Sequence, residues 1–379
     1  MHEKKLINAP RILHFSSVRK LSAGQRKQLE YEVAASMRLE QFSWDTLAIQ
    51  KEKPQNAFEK QVPIWFRFIF ARNLYAWFSL MLLKSKYDYV IFRHVPFDPF
   101  VFLFAPFFKN RITIHHSKEI EEMVLIRKGW KGLCASYLER LAGRFSIRRA
   151  LGVLGVTNEI AEYEVKRAMT NLPFNVYPNA IDVGSMLLAG DHRSENSINV
   201  AFICGTFMPW HGLDLLVKEV ESNLVMCRGY NLKIHIVGAL SQEQERLLLA
   251  IDPDNSIFEY HGYLTYEKYS TILAKCDLGL GSLAMYRQNL NEGATLKVRE
   301  LLAMGIPVYS GHRDALLPDN FAYYKFEELS LVSLFNFALR TKSVTRCEVR
   351  ELSAPFIDKL DVMNATANWL QSLGNRSIL

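Results

Sequence analysis

Short apolar runs alternate with longer stretches of helical spacing along this chain. The run at 11–16, RILHFS, reads as a buried strand. Ser22-Ala23-Gly24 reads as a loop, and 25–39 places Leu29, Val33 and Met37 on one helix face. A strand at 44–49 follows, so the chain opens as a β-loop-α-β start to a Rossmann-like half. Further strands are expected at 89–92, 111–116 and 151–156, with Thr157 capping a helix through 167. After the polar run GDHRSENS at 190–197, expected as a linker, strands recur at 198–203, 232–237, 256–260 and 277–283. An amphipathic helix at 357–373 closes the chain. The expected fold class is therefore α/β, with domains at 1–190 and 191–355 and a terminal segment at 356–379.

Composition fits two globular domains: 379 residues, 49% hydrophobic and 22% charged. The five cysteines (Cys134, Cys204, Cys227, Cys276, Cys347) are odd in number and lack paired spacing. They argue against a disulfide framework and for a reducing cytoplasm. No long apolar run precedes the first strand, so no secretory signal is expected. The net charge of +7 is uneven, +11 over residues 1–190 and −4 over 191–379. A basic first half suits an anionic partner: a membrane surface, a lipid-linked phosphate acceptor or nucleic acid. Its arginines form no aromatic-basic recognition motif, so no nucleic-acid partner is expected.

Two aromatic stretches lie in the basic half. The first, 63–87, is broken by Arg67 and Arg72, and its clean run at 74–83 is too short to span a bilayer. It reads as a core helix, or as an interfacial helix with Trp65, Phe66, Phe68, Phe70, Trp77 and Phe78 in lipid and the arginines at headgroups. The second, VPFDPFVFLFAPFFKNR, spans 95–111.

The chemistry concentrates at 291–310, NEGATLKVRELLAMGIPVYS. Glu292 and Glu300 stand eight residues apart. Thr295 is placed to cap a helix that Gly305 stops and Pro307 bars from continuing. A helix start after a glycine-bearing loop offers amides to an anion, and Lys297 adds a full charge in its first turn. Glu300, one turn on, projects from the same side as Lys297. The alternative is a surface helix with ordinary charges.

The pattern E-G-x-x-L-K-x-x-E-x-x-A-x-G-x-P-V resembles the nucleotide-sugar signature of retaining GT-B glycosyltransferases, in particular the family 4 group. The resemblance implies two Rossmann-like domains facing across a cleft, with the terminal helix returning to the first. It implies that Glu300 bonds the nucleotide ribose, that Glu292 contacts the donor sugar, and that Thr295, Leu296 and Lys297 lie near the diphosphate. It places His115 toward the donor sugar as a catalytic candidate, with His116 in reserve. Gly24 falls in the loop expected to approach the diphosphate, though the usual double glycine is absent. Residues 176–182, VYPNAID, resemble the family's interdomain V-x-P-N-G-[VI]-D, with Ala180 for glycine. Residues 205–216 resemble G-R-L-x-x-x-K-G-x-D-x-L-L, starting at Gly205. Thr206 replaces a phosphate-binding arginine and His211 a lysine, so binding is expected to weaken as pH rises through the histidine's titration. His261-Gly262-Tyr263 matches the segment whose backbone reads the nucleobase.

Other matches fail on context. Gly279-x-Gly281-x-x-Ala284 lies within a strand rather than after one. Asp252-Pro253-Asp254 reads as a turn. No metal or cofactor is expected, because no His/Asp/Glu cluster has ligand spacing along the chain. The resemblance implies a hexosyltransferase-type enzyme that moves sugar from a nucleotide-diphosphate donor to a glycan acceptor. A lipid-linked acceptor in bacterial surface polysaccharide assembly, at the inner face of the cytoplasmic membrane, would use the basic aromatic half. The alternative is a non-catalytic nucleotide-sugar or glycan-binding protein on the same fold.

Overall fold

The computed structural model describes residues 9–96, 98–126 and 129–376. The chain divides into two compact units, Met1–Asp182 with Lys359–Leu379, and Val183–Asp358. Each is a parallel sheet flanked by helices.

Unit 1 contains β1 (Arg11–Ser17), β2 (Ser43–Gln50), β3 (Glu59–Gln61), β4 (Tyr89–Arg93), β5 (Arg111–His115), β6 (Gly152–Gly155) and β7 (Phe174–Val176). They pair in the order β3-β2-β1-β4-β5-β6-β7, the nucleotide-binding order with one strand added. The runs are apolar because both sheet faces are covered by helices. On one side Leu13, Phe15, Val90 and Phe92 pack with Trp77, Phe104 and Phe108. Helices α1 (Ala23–Ser36), α2 (Ile69–Leu83), α3 (Val101–Phe104), α4 (Glu119–Ile126), α5 (Trp130–Arg148) and α6 (Asn158–Arg167) belong to this unit.

Trp77 is buried, with its Nε1–H donating to Asp98 Oδ2 at 2.6 Å, so it is core rather than lipid-facing. Arg72 is buried as well. The remaining aromatics of that stretch divide: Phe66 packs against the core, while Trp65 (83% exposed), Phe68 (79%), Phe70 and Phe78 stand in solvent. No helix among the described residues is long and apolar enough to cross a membrane.

Unit 2 contains β8 (Ile198–Thr206), β9 (Leu232–Ala239), β10 (Phe258–Tyr260), β11 (Leu278–Leu280), β12 (Glu292–Gly293), β13 (Val308–Ser310), β14 (Arg313–Asp314) and β15 (Tyr324–Phe326). Its main sheet runs β10-β9-β8-β11-β13-β15, and β12 pairs β14 separately. Its helices are α7 (Leu213–Ser222), α8 (Leu224–Gly229), α9 (Gln242–Ile251), α10 (Tyr266–Leu273), α11 (Leu296–Ala303), α12 (Leu331–Thr341) and α13 (Arg346–Ile357). In α7, Leu213, Leu216, Val217 and Val220 form the buried stripe that meets Val200, Phe202 and Ile234. The run 190–197 is not a linker. The His192 N–H donates to Ala274 O at 2.9 Å and the Arg193 guanidinium to Val344 O at 3.0 Å, which fastens the run to unit 2. The chain instead changes units after Asp182 and again after Asp358.

The last helix, α14 (Lys359–Arg376), belongs to unit 1. The Lys359 N–H donates to Ile181 O at 2.7 Å, and its ammonium lies 4.6 Å from the Tyr177 ring centre. Tyr177 Oη donates to Glu32 Oε2 at 2.6 Å. Glu32 also accepts from Trp44 Nε1 at 3.0 Å and Thr46 Oγ1 at 2.6 Å, with His14 Nδ1 at 2.8 Å. This buried carboxylate thereby ties α1, β1, β2 and Tyr177 together. Burial alone would raise its pKa, but His14, Lys359 and Thr46 outweigh burial and hold it at about 2. Because that lies below the ordinary 4.5, the stabilisation is present above about pH 4.5 and is lost as pH falls toward 2. Glu32→Ala is expected to cost about 3–5 kcal/mol. Urea unfolding at neutral and acid pH checks both points: the difference from wild type should shrink in acid.

Candidate functional site

In unit 2 the strand order reverses between β8 and β11, and an open α/β sheet binds its ligands at the carboxyl ends of such strands. Gly205 and Thr206 end β8 and are exposed. A 3-10 turn at Pro209–His211 follows, and Gly212, at φ 76°, opens α7. His211 Nδ1 accepts the Met208 N–H at 2.9 Å, which leaves the ring proton on Nε2. Burial pushes the His211 pKa down to about 3, and the Lys297 charge adds to the shift. His211 is therefore a neutral donor near neutrality. This argues against the expected pH dependence: affinity for a sugar nucleotide, whose diphosphate carries no group titrating there, should stay flat between about pH 6 and 8, as titration calorimetry would show.

Helix α11 brings Lys297 to this strand end. Its Nζ donates to Cys204 Sγ at 2.9 Å and lies 5.4 Å from the Phe202 ring centre. Cys204 is buried, which pushes its thiol pKa up against the pull of Lys297. The first-turn amides of α11 have no intrahelical acceptor, as at any helix start. Thr295 is the N-cap residue, yet its hydroxyl makes no capping bond, and its buried Oγ1 has no protein partner. That corrects the expected cap. Leu296, Lys297 and Glu300 are half-buried, and Glu300 lies one turn after Lys297. Gly305 ends the helix at φ 82°, with the Ile306 N–H on Leu301 O at 2.8 Å and the Gly305 N–H on Leu302 O at 3.0 Å. These are the two bonds of a Schellman stop.

Glu292 sits on β12, half-buried, where the Arg313 N–H on Asn291 O (2.9 Å) and the Ala315 N–H on Gly293 O (3.0 Å) hold the strand to β14. A Cβ on Gly293 would lie 2.5 Å from His312 Cδ2, so glycine is needed for this close approach. Arg299, on α11, reaches Asp314 of β14 through two bonds, at 2.5 and 2.9 Å, with both side chains wholly buried. Asp314 Oδ1 also accepts the Leu316 and Leu317 N–H groups. Helix and strand, and so Lys297 and Glu292, are locked in one frame. Gly262, at φ 67°, accepts the Gly238 N–H at 2.8 Å, beside the end of β9. The sequence reading passed over Cys204, Arg299, His312 and Asp314. Only Arg299, inside the signature, carried a local signal.

The unit 1 candidates are placed differently. Gly24 lies in the first turn of α1, not in a loop, because Ser22 and Gln25 form a capping box. His115 ends β5 and is wholly buried. Its Nδ1 lies 2.9 Å from Glu119 Oε1 and 3.3 Å from Glu164 Oε2, and its ring stacks on His94 at 4.7 Å. Burial pushes its pKa down to about 3, while burial and Glu119 push Glu164 up to about 8. His115, Glu119 and Glu164 converge closely enough for a metal. However, the Arg167 guanidinium already supplies the cation, at 2.5 Å from Glu164 and 2.8 Å from Glu139. His116 keeps accessible surface, with burial and then Arg93 holding its pKa well below the usual value. Asp252 is a turn anchor: its carboxylate accepts the Ser256, Ile257 and Phe258 N–H groups.

No protein-family model matches this chain, and no curated protein matches it. Among solved structures it is similar to the lipopolysaccharide outer core galactosyltransferase WaaB in its apo form, at 12% identity over 95% of this chain and 99% of that chain, with a TM-score of 0.60. It is similar to Anabaena Alr3699/HepE in complex with UDP and glucose, at 14% identity over 96% and 100% of the two chains, with a TM-score of 0.61. A third is WaaG, a glycosyltransferase involved in lipopolysaccharide biosynthesis, at 14% identity over 95% and 99%, with a TM-score of 0.59. At such identities the likeness carries the fold: these neighbours are GT-B glycosyltransferases, and this chain shares their two Rossmann-like α/β domains with parallel sheets.

Proposed function

We propose that this chain is a retaining glycosyltransferase of the family 4 type, taking its sugar from a nucleotide-diphosphate donor. The observation that carries this reading is Lys297, held at the start of α11 against the end of β8. A cation, a helix amino terminus and a neutral imidazole N–H there suit a diphosphate leaving group. Glu300 takes the ribose, the Gly262 segment the base, and Glu292 the sugar. Of the two unit 1 histidines, His115 is spent on buried carboxylates, which leaves His116 as the candidate. In the reaction the anomeric carbon loses its bond to the diphosphate oxygen and gains one to the acceptor oxygen on the same face. The acceptor proton leaves with the departing phosphate.

The acceptor in this reading is a lipid-linked glycan of bacterial surface polysaccharide assembly, met at the cytoplasmic face of the membrane. Exposed Trp65, Phe68, Phe78, Leu82, Phe107 and Trp130 on the basic unit support it, as does the likeness to the lipopolysaccharide glycosyltransferases WaaB and WaaG. Trp65→Ser with Phe68→Ser is expected to weaken partitioning into phosphatidylglycerol vesicles by at least about ten-fold. Unchanged cosedimentation would contradict membrane contact. Neutral His211 and uncharged Thr206 favour a second reading, a non-catalytic nucleotide-sugar or glycan-binding protein. Nucleotide release from each common sugar nucleotide, with lipid-linked acceptor and an NMR reading of the new anomeric bond, separates them. Acceptor-dependent release with retained configuration supports the enzyme; binding without turnover supports the second reading.

A further inference from the structure

We infer that His235, Glu259 and His261 form a divalent-metal site of the two-histidine, one-carboxylate kind, with zinc the ion its donors suit best. Along the chain these residues lack ligand spacing, which is why no metal was expected; parallel pairing brings them together. Glu259 of β10 stands opposite His235 of β9, so both project from the same sheet face. His261 follows β10 two residues after Glu259 and so shares its face. Its N–H donates to Ile236 O at 2.9 Å, continuing the ladder.

The donor atoms converge. His235 Nδ1 is 3.1 Å from His261 Nε2 and 3.3 Å from Glu259 Oε2, and His261 Nε2 is 4.0 Å from the same oxygen. Ligands about 2.0–2.1 Å from a tetrahedral zinc lie roughly 3.3–3.4 Å from one another, so small side-chain adjustments close the set. A partner beneath fixes the first imidazole. Asn199 Nδ2 donates to Ser197 Oγ at 2.9 Å, which leaves Asn199 Oδ1 to accept from His235 Nε2 at 3.2 Å. The His235 proton is then on Nε2, and its bare Nδ1 faces the other two donors. An amide oxygen behind a ligating histidine is the usual way a metal site fixes its tautomer.

Without an ion, three lone-pair-bearing atoms meet with a single His261 proton to share among them. A cation between the three atoms satisfies all of them. Glu259 and His261 are half-buried, which leaves an entry path and room for a water ligand. Lys233, whose Nζ is 3.7 Å from Glu259 Oε1, pairs with the other carboxylate oxygen and moderates affinity. A bound ion would pin the Gly262 turn to β9. The site borders the segment given to the base in the donor reading, but its donor atoms are side chains and the inference does not depend on that reading.

The test uses the untagged full chain, stripped with chelator and titrated with zinc by calorimetry and with cobalt(II) by visible absorption. Wild type should bind one equivalent, rise in melting temperature, and give the intense cobalt bands of a four- or five-coordinate nitrogen–oxygen site. Glu259→Gln and His261→Gln, at accessible positions, should each weaken binding at least about ten-fold with unchanged circular dichroism. His235→Ala removes a buried ring and serves only as a third variant. The proposal is overturned if wild type binds no zinc, if both glutamine variants bind as wild type does, or if cobalt shows thiolate charge-transfer bands from cysteine.

Discussion

Replacing Lys297 with methionine is expected to weaken nucleoside-diphosphate binding by about 10²–10³-fold while leaving the fold intact. Thr206 is uncharged and His211 is neutral, so Lys297 carries the formal charge among the residues grouped at the end of β8. A charge-assisted hydrogen bond contributes about 1.5–3 kcal/mol, and an ammonium between two phosphate groups makes more than one. Methionine keeps the apolar stem and its packing on Phe202. Before a ligand binds, the ammonium rests on the Cys204 sulfur, a weak acceptor that costs little to leave. Cys204→Ala should therefore change affinity by less than about three-fold. Calorimetric titration of both variants with the nucleotide decides it: equal affinities for Lys297→Met and wild type would remove Lys297 from the diphosphate site.

Arg299→Met is expected to cost about 3–5 kcal/mol of unfolding free energy, because it strands the Asp314 carboxylate in a wholly buried position. The paired charges also set the strand that bears Glu292 against the helix that bears Lys297. Activity should fall with stability, and excess nucleotide should not restore it fully. Adding Asp314→Leu should recover part of the stability, since an apolar pair of similar shape replaces a buried ion pair at little cost. Urea unfolding of the single and double variants measures this. A loss below about 1 kcal/mol for Arg299→Met would show that the pair is not the frame of the site.

What was legible beforehand was local. Gly305 demanded a helix stop and provides one, through backbone bonds within its own turn. Strands β1, β2, β4, β8 and β9 were visible because parallel strands covered on both faces read as apolar runs. Thr295 was placed correctly at the helix start, but its hydroxyl does not cap the helix, since no sequence rule says where a side chain turns. What was hidden depends on long-range packing. Trp77 and Trp65 share one aromatic stretch, yet only the first meets Asp98 and the core. His115 and His116 are adjacent, and the fold surrounds the first with carboxylates from α4 and α6. The run 190–197 has linker composition, but residues 274 and 344 bind it. Arg299 and Asp314, and the group His235, Glu259 and His261, are likewise pairings across elements that one-dimensional spacing does not record.

The central claim, a nucleotide-sugar site in unit 2 built on α11, is tested most directly by nucleotide-induced thermal stabilisation of wild type and of Glu300→Ala. Nucleoside diphosphates and sugar nucleotides with each common base would be compared at saturating concentration. The account expects one base to raise the melting temperature of wild type, and expects that rise to vanish in Glu300→Ala, each protein being compared with its own unliganded melting temperature. Stabilisation by no nucleotide, or equal stabilisation of both proteins, would contradict it.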